Sequence, residues 1–282
     1  MHAWVNGRLL DDPNEPAVPI TDHGFTVGDG VFEAVKVVAS RPFALERHLD
    51  RLISSAAGIG LPEPDLDAVR AGIDAVLGAG VLPLGRLRIT VTGGPSPLGS
   101  GRGGHSQATV AVVASSMEPA APTSTAISVP WPRNERSAIA GLKTTSYAEN
   151  VVALAHAARH GAAEAIFANL AGNLCEGTGS NVFYAVDGQL RTPTLASGCL
   201  AGVTRALVVE WCRADGMDVV EIDEPISILD DADEVFLAST TRDVQAVTTY
   251  NQREMVLGPV TERAARVWRD REDRARLSDG SV

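Results

Sequence analysis

Lysine is the charged residue that this sequence uses least: of its 24 lysines and arginines, only Lys36 and Lys143 are lysines. Arginine cannot form a Schiff base because its guanidinium stays protonated, so chemistry that needs a side-chain amine is restricted to these two positions. Lys143 is the better candidate, because an apolar approach ends at Leu142 and hydroxyl side chains follow over residues 144–147. A lysine on a surface loop is the simpler interpretation of that local context alone.

The sequence also has too little positive charge to attract a polyanion. Its 35 acidic residues outnumber the 24 lysines and arginines, which gives a formal net charge of −11. Such a surface repels DNA and anionic membranes overall. No uninterrupted apolar run reaches the ~20 residues that span a bilayer, and residues 1–7 have no export-signal pattern. We therefore expect a cytoplasmic protein that binds neither nucleic acid nor membrane.

Cysteine is scarce, and the three present are Cys175, Cys199 and Cys212. The odd count without a C-x-x-C pair predicts free, buried thiols in a reducing compartment. His156 and His160 have the four-residue spacing of metal ligands on a helix, but no third ligand is evident. We predict no metal site.

Strand and helix patterns alternate along the chain in two blocks. The first block has strand patterns at residues 1–10, 31–38, 84–92 and 109–114 and helix patterns from residue 45 and over 65–77; the second has strand patterns near 125–129, 165–168, 180–186 and 234–238 and helix patterns over 148–160 and 204–213. The proline-rich segment 117–124 separates the blocks. We predict an α+β (α/β) fold with a domain over residues 1–116, a linker over 117–124 and a larger domain over 125–282.

Two polar segments lie where ligands commonly bind. Gly202, Val203 and Thr204 directly precede a helix pattern, so their amides and the threonine hydroxyl suit a phosphate, although an ordinary threonine N-cap is the simpler interpretation. Thr240 and Thr241 follow a predicted strand at the end where such folds bind ligands. Taken alone, that second segment is only a polar turn.

A series of motifs in fixed order resembles the class IV aminotransferases. The motifs are DHGFTVGDGVFE at 22–33, HLDRL at 48–52, K-x-x-x-Y-x-x-N at 143–150, EGTGSNVF at 176–183 and GVTR at 202–205. The resemblance implies pyridoxal 5′-phosphate (PLP) as cofactor. It also implies the two-domain fold of type IV PLP enzymes, with a small N-terminal α/β domain and a larger, mixed α/β, barrel-like domain.

The resemblance also assigns roles to individual residues. Lys143 would be the Schiff-base lysine and the catalytic proton carrier, and Glu176 would bind the pyridine nitrogen. A carboxylate there keeps the ring nitrogen protonated, so that the ring can accept electrons. The other cofactor ligands would be Arg51, Val203, Thr204 and Thr240 at the phosphate and Tyr147 at O3′. A homodimer is also implied.

The substrate side is less closely determined. Thr241 and Arg242 would lie near the substrate carboxylate, and Lys36 is similar to a lysine of D-amino-acid transaminases. Phe32 replaces the tyrosine of that subfamily and Gly93 its arginine, so Arg88 or Arg242 would have to bind the carboxylate instead.

Three functions remain open. We favour a transaminase that transfers an amino group from a D-amino acid or branched-chain amino acid to a 2-oxo acid. The alternative is a 4-amino-4-deoxychorismate lyase that releases pyruvate and p-aminobenzoate, and a cofactor-free binding protein is a remote third.

Three further expectations concern local environment. Arg51 lies opposite the apolar stripe of its helix, which by helical geometry alone means solvent, so its face must line the cofactor cleft if it binds phosphate. The acidic run 230–234 is interpreted as a solvated turn. The glycine-rich segment 93–104 lacks the ending of a nucleotide-binding loop and is interpreted as a mobile loop over the site or as a connector.

Overall fold

The computed structural model describes residues 1–104 and 107–277. The chain forms two compact units: Met1–Pro119 together with Leu142–Ser146 makes the first, and Ala120–Gly141 together with the chain from Tyr147 makes the second. The predicted domain boundaries did not anticipate that Leu142–Ser146, which carries Lys143, groups with the N-terminal unit. The last residues of the predicted larger domain, 278–282, lie outside the described residues.

The first unit is built on a six-stranded sheet. Its strands are β1 (His2–Val5), β2 (Arg8–Leu9), β3 (Gly30–Val38), β4 (Arg41–Pro42), β5 (Leu84–Thr92) and β6 (Thr109–Ser116), and its helices are α1 (His23–Thr26), α2 (Leu45–Gly58) and α3 (Leu66–Gly78). The strand order is β2-β1-β6-β5-β3-β4, and every pairing is antiparallel.

Alternation along β3 decides which face of that sheet packs against the helices. Val31, Val35 and Val37 join one apolar core with Leu49 and Leu52 of α2. Because successive strand residues point to opposite faces, Glu33 shares the core face with these valines, whereas Phe32 and Lys36 occupy the other face. A carboxylate is thereby placed under α2.

The second unit contains a nine-stranded mixed sheet. Its strands are β7 (Thr123–Ser128), β8 (Glu164–Ala168), β9 (Leu174–Gly177), β10 (Asn181–Val186), β11 (Gln189–Thr192), β12 (Val219–Glu221), β13 (Glu234–Ser239), β14 (Asp243–Tyr250) and β15 (Arg253–Glu254); its helices are α4 (Ala148–Arg159), α5 (Val203–Ala214), α6 (Ile228–Asp231), α7 (Pro259–Leu277) and a 3-10 helix (Leu195–Ser197). The order is β12-β11-β10-β13-β14-β7-β8-β9, and β15 pairs with β14. Pairings β7–β8, β7–β14 and β11–β12 are parallel.

The combination of sheets and helices confirms the predicted α+β class. The sequence patterns missed β14 and the long helix α7. The acidic run was also misinterpreted in part, because Glu234 is buried and accepts hydrogen bonds from the Val260 and Thr261 amides, 3.1 and 2.7 Å away. A carboxylate at a helix N-terminus satisfies amides that have no partner within the helix.

Two findings concern the cysteines and the possibility of a membrane-spanning helix. All three cysteines are free and buried, as predicted, and burial raises the pKa of the Cys199 thiol to about 11. Among the helices of residues 1–104 and 107–277, none is long and apolar enough to cross a membrane.

Candidate active site

Lys143 is held by its main chain against β3 and α2 of the first unit. Its carbonyl accepts a hydrogen bond from the Phe32 amide at 3.0 Å, and its own amide donates to the Ser55 hydroxyl at 3.2 Å. The half-buried side chain places Nζ 4.4 Å from the centre of the Phe32 ring. An ammonium over an aromatic face is attracted to it, so the amine has a defined resting position.

The segment after Lys143 is anchored to a glycine-rich turn. Thr145 donates from its amide to the Gly30 carbonyl at 2.8 Å and from its hydroxyl to the Gly28 carbonyl at 2.9 Å. A Cβ on Gly30 would lie 3.0 Å from the Val91 carbonyl and 3.1 Å from the Thr145 hydroxyl. A side chain at residue 30 would therefore be tight against both β5 and the lysine segment.

Arg51 is not directed to solvent, and the expectation from helical geometry alone is wrong. Its side chain is 11% exposed and donates to Glu33 from Nε at 2.8 Å and from Nη2 at 2.6 Å. His48, one turn earlier on α2, contacts the same carboxylate through Nδ1 at 2.7 Å. The polar side of α2 faces the sheet because the buried carboxylate of Glu33 needs hydrogen-bond donors, which Arg51 and His48 provide.

Burial and charge act in opposite directions on this cluster. Burial alone would raise the pKa of Glu33, but the hydrogen bonds from Arg51 and His48 and the charge of Arg51 outweigh it and lower the value to about 2. For His48, burial dominates and lowers the pKa in spite of the bond to Glu33, and the charges of Arg51 and Lys143 act in the same direction. The cluster therefore contains a carboxylate that stays ionised and a histidine that resists protonation.

The sequence interpretation missed Glu33 and His48 as partners of Arg51. The signal available was the spacing of His48, Arg51 and Ser55, which puts them on one side of a helix. No such signal indicated that Glu33 is buried, because its motif is equally compatible with an exposed residue on a strand.

Phe32 and Arg88, two of the predicted substrate residues, contact each other on the side of the first sheet opposite α2. Phe32 lies under the guanidinium of Arg88, whose Cζ is 3.9 Å from the ring centre. Arg88 also donates from Nε to the Thr90 hydroxyl at 3.2 Å. Lys36 is on the same face, 6% exposed, and pairs in register with Arg86. The face thus combines an aromatic ring with several cations.

The glycine-rich segment 93–104 is tied down by its arginine. Arg102 donates from Nε to Asp29 at 2.6 Å and from Nη2 to the Ile59 carbonyl at 2.9 Å. In this structure Arg102 ties the segment to the C-cap residue of α2 and to the turn before β3, and its closing over a site stays a prediction.

Glu176 lies on β9 of the second unit, opposite Phe167 of β8. Its Oε2 accepts a hydrogen bond from the Leu200 amide at 2.9 Å, and its Oε1 lies 3.4 Å from Nε of Arg133. The side chain is 14% exposed. Glu176 is therefore a fixed carboxylate with a cationic neighbour, and not a freely moving surface acid. No motif or spacing in the sequence pointed to Arg133.

The segment 202–204 is not a threonine cap. Gly202 is the N-cap of α5, Thr204 is the second residue of the helix, and no described side chain caps this end. Thr204 is 5% exposed. Gly202 has no room for a side chain, because a Cβ there would lie 2.0 Å from Oδ1 of Asn181. The first-turn amides and the Thr204 hydroxyl form a helix N-terminus of the type that binds anions.

The turn after β13 carries the other predicted residues of this unit. Thr240, Thr241 and Arg242 form the turn to β14 and are half-buried, and the preceding Ser239 has a buried hydroxyl with no hydrogen-bond partner among the described residues. An unsatisfied buried hydroxyl is costly unless a ligand or water completes it.

Arg242 is occupied by its own unit. Its Nη1 donates to Gln245 at 2.6 Å and to the Ser124 hydroxyl at 3.3 Å, and its Nη2 lies 3.4 Å from the buried carboxylate of Glu164. Glu164 in turn accepts a hydrogen bond from the Ser180 hydroxyl at 3.0 Å. These contacts make Arg242 a structural anchor for the strands around it, whatever else it contacts.

Tyr147 is the half-buried N-cap residue of α4, the helix that contains His156 and has His160 as its C-cap. The two imidazole rings lie 4.3 Å apart, and His160 contacts the His156 carbonyl through Nδ1 at 2.9 Å. Within the described chain, no three His, Cys, Asp or Glu residues are grouped as they would be around a metal ion.

Comparisons with known proteins agree with the motifs. A sequence model of the family described as amino-transferase class IV matches residues 30–250. A bifunctional aminodeoxychorismate lyase/D-amino acid transaminase of Mycobacterium tuberculosis is 30% identical over 93% of this chain and 95% of its own. The branched-chain aminotransferase of Thermoproteus uzoniensis with norvaline superimposes with a TM-score of 0.89 at 29% identity, over 96% of this chain and 94% of that one. A hypothetical aminotransferase of Mycobacterium tuberculosis in its PLP-bound form gives a TM-score of 0.85 at 30% identity, over 99% and 100% of the two chains. These likenesses confirm the predicted fold type IV.

Proposed function

The chain belongs to the class IV aminotransferases, a family of PLP-dependent enzymes, and we propose that it transfers amino groups between an amino acid and a 2-oxo acid with Lys143 as the catalytic residue. The donor would be a D-amino acid or a branched-chain amino acid. The single observation that carries this proposal is the anchored carboxylate of Glu176, held by the Leu200 amide and by Arg133. A fixed negative charge is what a protonated pyridine nitrogen needs as a partner.

The residues present fit PLP. The uncapped N-terminus of α5 and the Thr204 hydroxyl offer donors to a phosphate, and the unsatisfied hydroxyl of Ser239 lies next to Thr240. Arg51, whose guanidinium is oriented by Glu33, would add a positive charge. Val203 would contribute its amide, Tyr147 would donate to O3′, and Lys143 would hold the cofactor covalently through its amine.

Each residue would have a defined task. Bound PLP supplies an electron sink that stabilises the carbanion left when an amino acid loses its Cα proton. Lys143 would take that proton on Nζ and return it at another atom, and the Phe32 ring would limit where the amine can lie. Glu176 would keep the pyridine nitrogen protonated throughout the cycle.

Substrate carboxylates would be bound by the cationic face of the first sheet. Arg88 is oriented by Thr90 and by the Phe32 ring, and Lys36 lies on the same face. Thr241 would contribute a hydroxyl. Arg242 is the weaker candidate, because Gln245 and Glu164 already bind its guanidinium.

Aminodeoxychorismate lyase is the second candidate. The observation in its favour is the full-length similarity to a relative named for both the lyase and the D-amino acid transaminase activities. The same lysine would remove the Cα proton in both reactions, and the fate of the substrate afterwards separates them.

One experiment separates the candidates. The visible spectrum of the purified protein is recorded before and after separate additions of D-alanine, L-leucine and aminodeoxychorismate. Bleaching of the PLP band by one amino acid, with a 2-oxo acid as product, supports the transaminase and gives its stereochemistry. Release of pyruvate and p-aminobenzoate from aminodeoxychorismate alone supports the lyase. A colourless protein that takes up no PLP refutes both.

We also propose a homodimer. Large apolar side chains are exposed on the segment before β3, among them Ile20 at 74% and Phe25 at 71%. Exposed apolar groups close together in sequence are typical of an interface. Light scattering of the active protein tests this, and a monomer with full activity contradicts it. The cytoplasmic location stays a prediction from the sequence.

A further inference from the structure

Arg133 is fixed in the second unit by contacts that leave its guanidinium little freedom. Its main-chain amide donates to the Ala168 carbonyl at 2.7 Å, which aligns residue 133 with the end of β8. The guanidinium lies over the Phe167 ring, with Cζ 4.2 Å from the ring centre. Nη2 donates to Oδ1 of Asn150 at 2.8 Å, and Nη1 to Glu149 at 3.1 Å. Stacking and a planar fork of donors together fix an arginine more firmly than an ion pair alone.

The remaining nitrogen faces Glu176. Nε is buried and lies 3.4 Å from Oε1, and within the described residues no acceptor meets it in hydrogen-bond geometry. The pair therefore contributes charge without a hydrogen bond from Nε. Oε2 is held separately, by the Leu200 amide.

Arg133 is the cationic neighbour of Glu176. Its guanidinium also pairs with Glu149, whose side chain is 69% exposed to solvent. Glu176 is only 14% exposed, and a carboxylate that loses its counter-charge in such a place tends to take up a proton. A neutral carboxyl group would no longer keep the pyridine nitrogen protonated.

We infer that Arg133 is a positioning residue, which keeps Glu176 charged and oriented and thereby sets the protonation of the cofactor's pyridine nitrogen. The inference rests on the proposed function, since it needs Glu176 to bind that nitrogen. Arg133 acts through Glu176 and does not itself contact the reacting atoms.

The test measures the cofactor and not turnover. Apoprotein is reconstituted with ¹⁵N-labelled PLP, the pyridine nitrogen is observed by NMR, and PLP affinity is titrated in parallel. The variants are Arg133→Met, Arg133→Gln, Arg133→Lys and Glu176→Gln. Arg133→Gln retains a donor for Asn150 while removing the charge, so it decides the matter if the methionine variant does not fold. Arg191→Met is the matched control, because Arg191 forms a comparably buried pair with Glu224 in the same unit, 3.2 Å away.

We expect Arg133→Met and Arg133→Gln to move the ¹⁵N shift most of the way to the Glu176→Gln value and to weaken PLP binding about tenfold or more. Arg133→Lys should return the shift most of the way to wild type because it restores the charge. Arg191→Met should leave the shift unchanged even if it lowers stability.

The inference is wrong if both neutral Arg133 variants keep the wild-type ¹⁵N shift and PLP affinity while Glu176→Gln changes the shift. That result would leave the proposed function intact. A Glu176→Gln variant with the wild-type shift removes the proposed role of Glu176 itself. The two failures are therefore distinguishable.

Discussion

The Glu33 carboxylate binds the Arg51 guanidinium by two hydrogen bonds, 2.8 Å from Nε and 2.6 Å from Nη2, with Glu33 fully buried on the core face of its strand. The pair couples the helix that carries Arg51 to the strand against which Lys143 is held.

We predict that Glu33 stabilises the folded state at neutral pH and loses this effect in acid. Its pKa falls from 4.5 to about 2 on folding, so the stabilisation is complete above about pH 4.5 and disappears as the pH approaches 2. Its size is about 3 kcal/mol. Glu33→Gln should lower the free energy of unfolding at pH 7 by a similar amount and flatten its pH dependence below 4.5, as measured by urea denaturation.

The matched control is Glu46→Gln. Glu46 also forms a two-bond pair with an arginine, Arg70, and it lies on the same helix as Arg51, but both side chains are exposed. Exposed pairs contribute less than about 1 kcal/mol. Equal decreases in the free energy of unfolding for the two variants would mean that burial does not strengthen the Glu33–Arg51 pair.

The covalent attachment point can be identified with little ambiguity because the chain has only two lysines. Borohydride reduction of the PLP-loaded protein followed by peptide mass spectrometry should find the cofactor on Lys143. Lys143→Ala should fold and lose at least ~10²-fold in turnover, since a positioned proton carrier contributes that much. Label on Lys36 instead, or an active Lys143→Ala enzyme, contradicts the assignment.

Gly202→Ala should disturb the start of α5. The added Cβ would lie 2.0 Å from Oδ1 of the buried Asn181, whose amide donates to the Leu200 carbonyl at 2.9 Å. We expect a loss of about 1–3 kcal/mol in stability and weaker PLP binding. Gly179→Ala in the same unit meets nothing within 4 Å and serves as the control. Similar melting temperatures and PLP affinities for the two variants would be inconsistent with a steric role for Gly202.

Glu234→Gln should destabilise the C-terminal helix. Each carboxylate oxygen accepts a hydrogen bond from a first-turn amide of α7, and glutamine can accept only one of the two, because its amide nitrogen is a donor. The expected cost is about 1 kcal/mol, typical of a lost helix cap. Thermal unfolding measures it, with the exposed Asp231→Asn as control. An unchanged melting temperature would show that the capping contacts contribute nothing.

The sequence motifs identified candidate catalytic and cofactor-binding residues, but hydrophobic periodicity did not predict which residues surround them. Lys143 stands out because the chain has only two lysines, whereas Glu176 was assigned from the family motif around it. Arg133 did not stand out, since nothing in its neighbourhood along the chain marks it as the partner of a carboxylate more than forty residues later. Hydrophobic periodicity predicted a solvent-exposed Arg51 because it treats only apolar residues as inward-facing. It cannot indicate that a buried acid lies on the neighbouring strand.

The sequence by itself determined the family, the α+β class, the cofactor and the order of the motifs, because these depend on residue identity and local pattern. Only the tertiary structure decided that Glu33 lies beneath Arg51, that Glu234 caps a helix and that Arg133 faces Glu176. In each case a charged group is buried, and whether burial is tolerable depends on donors and counter-charges that distant segments bring to it.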